Sequence, residues 1–480
     1  FDEHTWGAWS SISDPDIPFS VKQWDFKRNY VLDADKKEKE LNNAILQQVS
    51  TPSKNWTIVN TNSWSNPSLV LLKDLTDKDR IMDEKGRVIR AQQTKAGKLV
   101  YVPDVPALSS TTLKIAPEST PTIIGLAAPT YSFHDNIMEN KFVRVLIDSK
   151  TGAISSFILK ASNTDIVKKG QYQFNQYLYV PGRDPATAVT SKVKEIRLDE
   201  MGVYETDVTV VCEAEGTSGL TIRYRLNNIT GALTIENHLE KTKVRTKEAV
   251  HFAFPFNITN GKWKADNGFL AYDPLNDTIP GNNKDFTYCG KWADLSNKDW
   301  GVTYFSPDAP IIEFGEMNSE VIPAGKGAKV WKSKQTPSQL LFSYALNNYW
   351  HTNYKADQEG PVSFTYTILP HGKFSITDAY KKAEEIYQPP VLIQSDKIKV
   401  QAPFSVSNEK VVVSTLVPAK DGNGIVVRLY NTSQEKQKLS IKTIVGKMVA
   451  SNLYEDVLPV VPGVITLLPF ETRTFRLLEK

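Results

Sequence analysis

The sequence contains few cysteines, no long apolar run and almost no excess charge of either sign. Its two cysteines, Cys212 and Cys289, lie far apart in the chain, so they predict neither a metal-ligand pair nor a disulfide framework. The longest apolar stretches reach only about seven residues, which is too short to cross a bilayer. Lysine and arginine total 57 against 54 acidic residues, a near balance that argues against nucleic-acid binding. We therefore expect neither a membrane nor a nucleic acid as a partner.

Motifs that build an active site within one short segment are also missing. None of the six histidines forms an H-x-x-x-H pair, and the chain has no G-x-S-x-G elbow, phosphate-binding loop or dinucleotide fingerprint. A lone histidine in a β domain is typical of a hydrogen-bonded structural residue. The residues alone therefore predict no self-sufficient active site and no complete metal site.

Length and composition predict several folded domains. The chain has 480 residues, of which 40% are hydrophobic and 23% charged, so it is too long for one core and too apolar for disorder. Composition changes near Lys54, near residues 121–129 and near residues 389–397. The predicted parts are a helical segment in 1–52, a small β-sandwich in 53–128, a large β-sandwich in 129–392 and a C-terminal β-sandwich in 393–480. Because Phe1 opens a dense aromatic and charged string, we expect the downstream part of a longer polypeptide.

The secondary-structure pattern is mainly β. Helical spacing of apolar residues is strong over residues 19–49 and weaker over Ile376–Tyr387. Most other segments alternate with period two, and the clearest hairpin joins Lys141–Asp148 to Ala153–Leu159 through a turn in which Gly152 is free to adopt positive φ. Short strands between regular turn signals predict antiparallel β-sandwich domains, including one large central sandwich, with a short N-terminal helical segment.

The richest group of chemically active residues lies at the start of the chain: Asp2, Glu3, His4, Trp6 and Trp9. An indole beside a carboxyl group removes water from it and raises its pKa, as sugar-cleaving enzymes require of a general acid. Tryptophan rings also fit the apolar face of a pyranose. An acidic cluster near a terminus is more often solvated surface than a functional site, so spacing alone leaves both interpretations open.

Two aromatic and polar strings mark the predicted large sandwich. They are residues 291–305 (KWADLSNKDWGVTYF) and residues 347–354 (NNYWHTNY). Amides and indole N–H groups bond sugar hydroxyls directionally, so these strings can form a polar wall for a saccharide. They can equally be loops that pack against the edge of the sandwich.

Several stretches resemble one protein family in their order along the chain. The most specific is the hairpin ENKFVRVLIDSKTGAISSF at 139–157. The others are DEHTWGAWSSISDP (2–15), IVNTNSWSNPSLV (58–70), VHFAFPFNI (250–258), the two aromatic strings and PFETRTFRL (469–477). Together they resemble the portion of glycoside hydrolase family 38 α-mannosidases that follows the catalytic barrel.

The resemblance implies retaining hydrolysis of α-mannosides by the intact protein. In the family, the catalytic barrel supplies the nucleophilic Asp and an H-x-D-x-x-W motif, and it holds a zinc ion. Neither that Asp nor that motif occurs in this chain. The resemblance makes Glu3, or else Asp2, the acid/base candidate, with Trp6 and Trp9 as walls of the site. It makes His4 a tentative zinc ligand, because a bundle histidine of the family is missing.

The resemblance also assigns substrate contacts and partners. The candidate contacts from the large sandwich are Tyr349, Trp350, His351 and Asn353. Zinc is expected in the intact enzyme, and the expected partners are a carbohydrate and an N-terminal catalytic barrel, in cis or on another chain. This chain alone is expected to be inactive. Two other functions stay open, a non-catalytic carbohydrate-binding or scaffold module and a purely structural support, and the compartment can be cytoplasmic, periplasmic or extracellular.

Overall fold

The structure is a computed structural model that describes residues 9–117, 130–319, 331–349, 355–395, 397–458 and 463–478. The chain forms two compact units. The first contains residues 1–45, 128–268 and 272–374, and the second contains residues 46–127, 269–271 and 375–480. The division into four parts made from composition stays a prediction.

Three α-helices are present in the described residues: α1 (Ser10–Ser13), α2 (Pro18–Val49) and α3 (Ile376–Tyr387). Helix α2 begins at Pro18, whose fixed φ and missing N–H suit the first helical position. Helix α3 begins after Ser375, whose hydroxyl accepts the backbone N–H of Asp378 at 3.2 Å. No helix among the described residues is long and apolar enough to cross a membrane.

Helix α2 exposes most of its apolar side chains. Within it only Ser20 and Lys27 are buried. Its large apolar residues that are at least 45% exposed are Phe19, Val21, Phe26, Tyr30, Val31, Leu32, Leu41 and Ile45. The apolar spacing that predicts this helix therefore does not mark a face packed against the core of this chain.

The strands account for most of the remaining described structure. The first seven are β1 (Trp56–Val59), β2 (Ser68–Lys73), β3 (Arg80–Met82), β4 (Val88–Ile89), β5 (Ala91–Thr94), β6 (Gly97–Val102) and β7 (Ser110–Ala116). The next ten are β8 (Tyr131–His134), β9 (Ile137–Asn140), β10 (Val143–Ile147), β11 (Ile154–Leu159), β12 (Thr164–Asp165), β13 (Gln176–Pro181), β14 (Val189–Thr190), β15 (Lys192–Met201), β16 (Glu205–Glu213) and β17 (Thr217–Asn227).

The second half of the chain continues the same pattern. Its strands as far as α3 are β18 (Leu233–Lys241), β19 (Glu248–Pro255), β20 (Lys262–Asp266), β21 (Ala271–Tyr272), β22 (Thr287–Tyr288), β23 (Trp292–Ser296), β24 (Gly301–Phe305), β25 (Ile311–Phe314), β26 (Leu340–Asn347) and β27 (Gly360–His371). After α3 come β28 (Val391–Gln394), β29 (Phe404–Val406), β30 (Val411–Pro418), β31 (Ile425–Asn431), β32 (Gln437–Leu439), β33 (Ile441–Thr443), β34 (Lys447–Ser451), β35 (Ile465–Leu467) and β36 (Thr472–Leu478).

The first unit is built on three antiparallel sheets. A nine-stranded sheet runs in the order β15-β16-β17-β18-β27-β24-β23-β20-β21, and a six-stranded sheet runs in the order β14-β13-β19-β26-β25-β22. A five-stranded sheet of β12-β11-β10-β9-β8 completes it. One core is shared by side chains of all three, including Phe157, Tyr224 and Phe252, which are fully buried. The predicted fold class, antiparallel β-sandwiches with an N-terminal helix, is confirmed.

The predicted hairpin is present as β10 and β11. Gly152 lies in its turn with φ of +78°, which side chains with a Cβ atom rarely adopt. The Asp148 carboxylate accepts the backbone N–H groups of Lys150 and Thr151, both at 2.9 Å. The side chain of Asp148 therefore fixes the turn from within, as short acidic residues do in tight turns.

The second unit contains two cores. Strands β1 to β7, with β28, enclose Ile58, Leu72 and Val100. Strands β29 to β36 enclose a second cluster that includes Val427 and Leu467. The sequence predicts a single strand over 439–444, but the structure places β32 with β35 and β33 with β29. The prediction rests on local periodicity alone. The strands that pair with β32 and β33 are distant in sequence, so periodicity does not show that the two belong to different sheets.

Candidate functional site

Most of the predicted site residues fall outside the described structure. Those outside are Asp2, Glu3, His4, Trp6, Trp350, His351 and Asn353. Trp9 is described and directly precedes α1, where its side chain is 62% exposed. Its role as a wall of the site stays a prediction.

Tyr349 is enclosed beside an arginine. The guanidinium of Arg183 lies over the Tyr349 ring, 4.9 Å from its centroid, and Nη2 of Arg183 donates to the backbone carbonyl of Tyr349 at 2.8 Å. Burial raises the pKa of Tyr349 to about 12, although the nearby guanidinium opposes the shift. The neutral ring anchors the start of the predicted contact string, and its assignment as a substrate contact stays a prediction.

A groove separates the N-terminal half of α2 from the edge of the large sandwich within the first unit. Its volume is about 680 Å³, within the range typical of small-molecule sites. Trp24 and Arg28 line it from the helix. Asn347 and Asn348 line it from the end of β26. The groove therefore lies directly before the predicted contact string, which starts at Tyr349 in the described residues.

Asp357 is the most connected acidic residue of this groove. Its side chain is 1% exposed and pairs with Arg245 Nε at 2.6 Å and Lys355 Nζ at 3.1 Å. Burial raises the pKa of Asp357, but the hydrogen bonds from Arg245 and Lys355 outweigh it and hold the pKa below its ordinary value. Asp357 is therefore ionised at neutral pH.

The same arginine connects the sandwich to the segment before α2. The two Nη atoms of Arg245 donate to the two carboxylate oxygens of Asp16, each at 2.5 Å. The hydrogen bond from Arg245 lowers the pKa of Asp16. A two-pronged contact of this kind fixes direction as well as distance. Arg245 therefore orients the segment that leads back to the predicted acid/base residues.

A buried ion pair forms the floor of the groove. Nζ of Lys241 lies 2.7 Å from Oε1 of Glu248, and the two side chains are 2% and 6% exposed. Oε2 of Glu248 has no hydrogen-bond partner among the described residues. Nε1 of Trp24, on the opposite wall, is also buried without one. Both atoms are enclosed by protein, so neither is open to a ligand in the groove.

A second buried pair lies away from the groove. Nε2 of His251 on β19 is 3.0 Å from Oε2 of Glu313 on β25, and both side chains are at most 1% exposed. The Tyr344 ring stacks on His251 with centroids 4.6 Å apart. Burial raises the pKa of Glu313, and His251 partly offsets this. Aromatic rings enclose the pair, so it does not form an open site.

The described residues do not suit a metal ion. Across the described ranges there is no group of three or more His, Cys, Asp or Glu side chains that could hold one. Cys212 and Cys289 are buried and unpaired, and burial raises the thiol pKa of Cys212 to about 11. His4, the zinc-ligand candidate, lies outside this part of the chain.

Sequence reasoning did not identify the groove. In the sequence, Trp24 is one residue of the predicted helix over 19–49, and Glu248 and Asp357 belong to no motif. In the sequence Trp24 precedes Glu248 by more than two hundred residues, so no local spacing brings them together. The one available signal was the amide pair Asn347 and Asn348, at the start of the predicted contact string.

The architecture defines a multidomain antiparallel β-sandwich protein with a long N-terminal helix. Residues 138–308 match the family model described as "Glycosyl hydrolases family 38 C-terminal domain". Residues 410–475 match "Glycosyl hydrolases family 38 C-terminal beta sandwich domain". These two parts of the chain therefore match C-terminal domains of family 38 glycosyl hydrolases, as the resemblance predicted.

Solved structures agree with this fold. An α-mannosidase from Enterococcus faecalis V583 matches with a TM-score of 0.63 and 14% identity over 92% of this chain. A glycosyl hydrolase family 38 protein from Enterococcus faecalis matches with a TM-score of 0.64 and 14% identity, also over 92%. This chain covers 58% and 60% of those two chains. No curated protein sequence is significantly similar to it.

Proposed function

We propose that this chain is the C-terminal portion of a retaining α-mannosidase-type glycoside hydrolase, in which it supports the catalytic region and supplies the rim of the sugar site. One observation carries the proposal. Two family 38 C-terminal models match in one chain, whose fold is similar to that of an α-mannosidase over 92% of its length.

The chemistry divides between this chain and a catalytic barrel. Retention requires two carboxyl groups about 5 Å apart, one as nucleophile and one as acid and then base. Glu3 or Asp2 is the proposed acid/base, and the barrel supplies the nucleophile. Zinc belongs to the intact enzyme, where it would hold sugar hydroxyls, and His4 is its tentative ligand from this chain.

The proposed rim consists of aromatic and amide side chains. Trp6 and Trp9 would stack against the sugar ring, because indoles fit the apolar face of a pyranose. Tyr349, Trp350, His351 and Asn353 would contact its hydroxyl groups. The Arg245–Asp16 contact supports this arrangement, since it holds the segment that follows Trp9 against the large sandwich.

The exposed face of α2 supports a neighbouring catalytic region. Phe26 and Tyr30 are 59% and 51% exposed, and their rings contact each other with centroids 5.2 Å apart. Burying such side chains is favourable at roughly 25 cal/mol per Å² of apolar surface. A barrel that covers this face would use that free energy for docking.

A turnover assay tests the proposed function. We expect the 480-residue chain to release no nitrophenol from nitrophenyl α-mannoside, with or without added zinc. The intact polypeptide should release it, and a metal chelator should abolish that activity. Nitrophenyl β-mannoside is the matched control and should not be cleaved by either protein. Turnover by the 480-residue chain would show that the bond-breaking groups lie within it, and an intact protein inactive on every α-mannoside would refute the proposal.

A further inference from the structure

The loop of residues 242–247, between β18 and β19, contacts two segments that lead to predicted site residues. Arg245 in this loop binds Asp16, which lies thirteen residues after Glu3. Asn348, directly before Tyr349, binds the same loop. The loop therefore joins the segment that follows the acid/base candidates to the residue that precedes the substrate-contact candidates.

Two carboxylates hold the Arg245 side chain in one direction. Nε of Arg245 donates to Asp357 at 2.6 Å, and its two Nη atoms donate to the two carboxylate oxygens of Asp16 at 2.5 Å each. The Asp357 side chain is 1% exposed, whereas the Asp16 side chain is 71% exposed. Because the guanidinium is planar and its donors have fixed spacing, the buried carboxylate orients the arginine, and the arginine fixes the position of the exposed carboxylate.

Positive charge around Asp16 supports the same contact. Nζ of Lys243 lies 4.0 Å from Asp16 and 3.9 Å from Asp357. Lys355 pairs with Asp357 at 3.1 Å and with Glu359 at 3.9 Å. The hydrogen bond from Arg245 and the nearby cations lower the pKa of Asp16. Asp16 is therefore ionised, and able to accept both hydrogen bonds, at neutral pH.

A single amide side chain holds the loop backbone on either side of Arg245. Nδ2 of Asn348 donates to the carbonyl of Val244 at 3.2 Å and to the carbonyl of Thr246 at 2.9 Å. Two hydrogen bonds that flank one residue restrict its backbone, and they place the loop directly against the residue before Tyr349. The direction of the Arg245 side chain is therefore coupled to the start of the predicted contact string.

The segment before α2 has a defined conformation of its own. Ser11 is fully buried, and Oγ of Ser20 donates to Oγ of Ser10 at 3.1 Å. The backbone N–H of Ile17 donates to the carbonyl of Asp14 at 3.3 Å. Arg245 therefore ties an already ordered segment to the large sandwich, and a shift at Asp16 would be passed along that segment.

We propose that residues 242–247 form a brace that fixes the segment 9–17 and the start of the contact string relative to each other, with Arg245 as its positioning residue. Arg245 acts through Asp16, and every residue of the brace is described by the structure. The inference deepens the proposed function and rests on it for the acid/base role of Glu3 or Asp2.

Hydrogen exchange in the 480-residue chain tests the brace. Asp16→Asn keeps the size of the side chain and removes its charge. Loss of one largely exposed ion pair should speed amide exchange over residues 9–17 roughly two- to fivefold. The midpoint of urea denaturation should not change, since Asp16 is 71% exposed.

Asp14→Asn is the matched control in the same segment. The Asp14 carboxylate accepts a hydrogen bond from the neighbouring Ser13 hydroxyl at 2.7 Å and is not bonded to the loop of Arg245. Its removal should leave exchange over residues 9–17 as in the native chain. Native exchange in Asp16→Asn, or equally fast exchange in both variants, would overturn the brace.

Leaving-group dependence in the intact polypeptide tests the positioning role. A general acid matters most for a poor leaving group, such as the second sugar of mannobiose, and least for nitrophenolate. Asp16→Asn should therefore lower kcat/KM at least about tenfold for mannobiose and less than about threefold for nitrophenyl α-mannoside. Asp16→Glu keeps a carboxylate and should recover most of the loss. Equal losses on both substrates would overturn the positioning role, because a general structural defect does not distinguish leaving groups.

The two measurements separate this inference from the proposed function. An intact protein inactive on every α-mannoside, together with faster exchange in Asp16→Asn, would refute the proposed function and support the brace. Hydrolysis by the intact protein, together with native exchange in Asp16→Asn, would do the reverse. Faster exchange with unchanged hydrolysis of both substrates would confirm the contact and overturn its role in catalysis.

Discussion

At the scale of single residues, Asp357 contributes a negative charge to the groove. Its side chain is almost fully buried, yet Arg245 and Lys355 keep its pKa below the ordinary value. Because the folded state lowers this pKa, ionised Asp357 contributes stability above the unfolded pKa of about 3.9. That contribution is lost as the pH falls through the folded pKa.

Asp357→Asn should therefore destabilise the chain in a pH-dependent way. The amide removes the charge that pairs with Arg245 and Lys355, at an expected loss of roughly 1–3 kcal/mol in the free energy of unfolding at pH 7. Urea denaturation should show the difference from the native chain shrinking below about pH 4. Asp299→Asn is the control, because the Asp299 side chain is 69% exposed and should change little at either pH. An equal effect of Asp357→Asn at both pH values would contradict the ion-pair explanation.

Residue type alone indicated part of the candidate site. Tyr349 and the amides before it stand out in the sequence because aromatic and amide residues cluster there. The contacts that Trp24 makes could not be predicted, since they depend on where α2 lies against β19 and β26. The burial of Glu248 beside Lys241 could not be predicted either, because the two residues lie on strands of different sheets.

At the scale of elements, alternation predicted strands that bury one face, such as β17 and β18, but it did not predict β19. Strand β18 alternates in burial over most of its length, and β17 does so from Leu220 onward. All eight residues of β19 are buried, so its sequence has no period of two to detect. Only the resemblance marked that segment. The predicted bounds of helix α3 are those of the structure, because the spacing of its apolar residues is visible within a short stretch of sequence.

The β10–β11 hairpin provides a test at this scale. Gly152→Ala should lower the free energy of unfolding by roughly 1–2 kcal/mol, because a Cβ atom is disfavoured at φ of +78°. The new Cβ would also lie 3.0 Å from Cys212 Sγ and 3.0 Å from Val210 Cγ1. Urea denaturation measures the loss.

Gly219→Ala is the matched control for that hairpin. Gly219 lies in a strand, and no atom lies within 4 Å of the position where its Cβ would be. Its effect should stay within about 0.5 kcal/mol. Equal losses at Gly152 and Gly219 would show that the turn conformation has no special cost.

At the scale of the whole molecule, helix α2 leaves most of its large apolar side chains exposed within the described residues. Phe19 and Leu41, near its two ends, are 61% and 62% exposed. Large exposed apolar surface is typical of a site that another protein or domain covers. The two similar solved chains are longer than this one, which covers 58% and 60% of them, and a catalytic region is the proposed cover for the helix.

The double variant Phe26→Ser, Tyr30→Ser tests this cover. In the 480-residue chain both side chains are exposed, so the free energy of unfolding should change by less than about 1 kcal/mol. In the intact polypeptide the same change should cost roughly 2–4 kcal/mol, because it removes two buried aromatic side chains. Tyr454→Ser, at a residue 84% exposed, should have no effect in either protein. The same small change in both proteins would show that the helix face stays uncovered.

Four basic and four acidic side chains line the groove beside α2, and because their formal charges cancel, they determine how occupancy of the groove by a ligand responds to ionic strength. Dissolved ions weaken attraction between a charged ligand and an oppositely charged surface, and at 0.1 M salt the interaction between exposed charges more than about 10 Å apart is largely screened. A sugar without charge gains nothing from such attraction and therefore loses nothing when it is screened. An uncharged ligand would therefore occupy the groove equally well in dilute buffer and in concentrated salt.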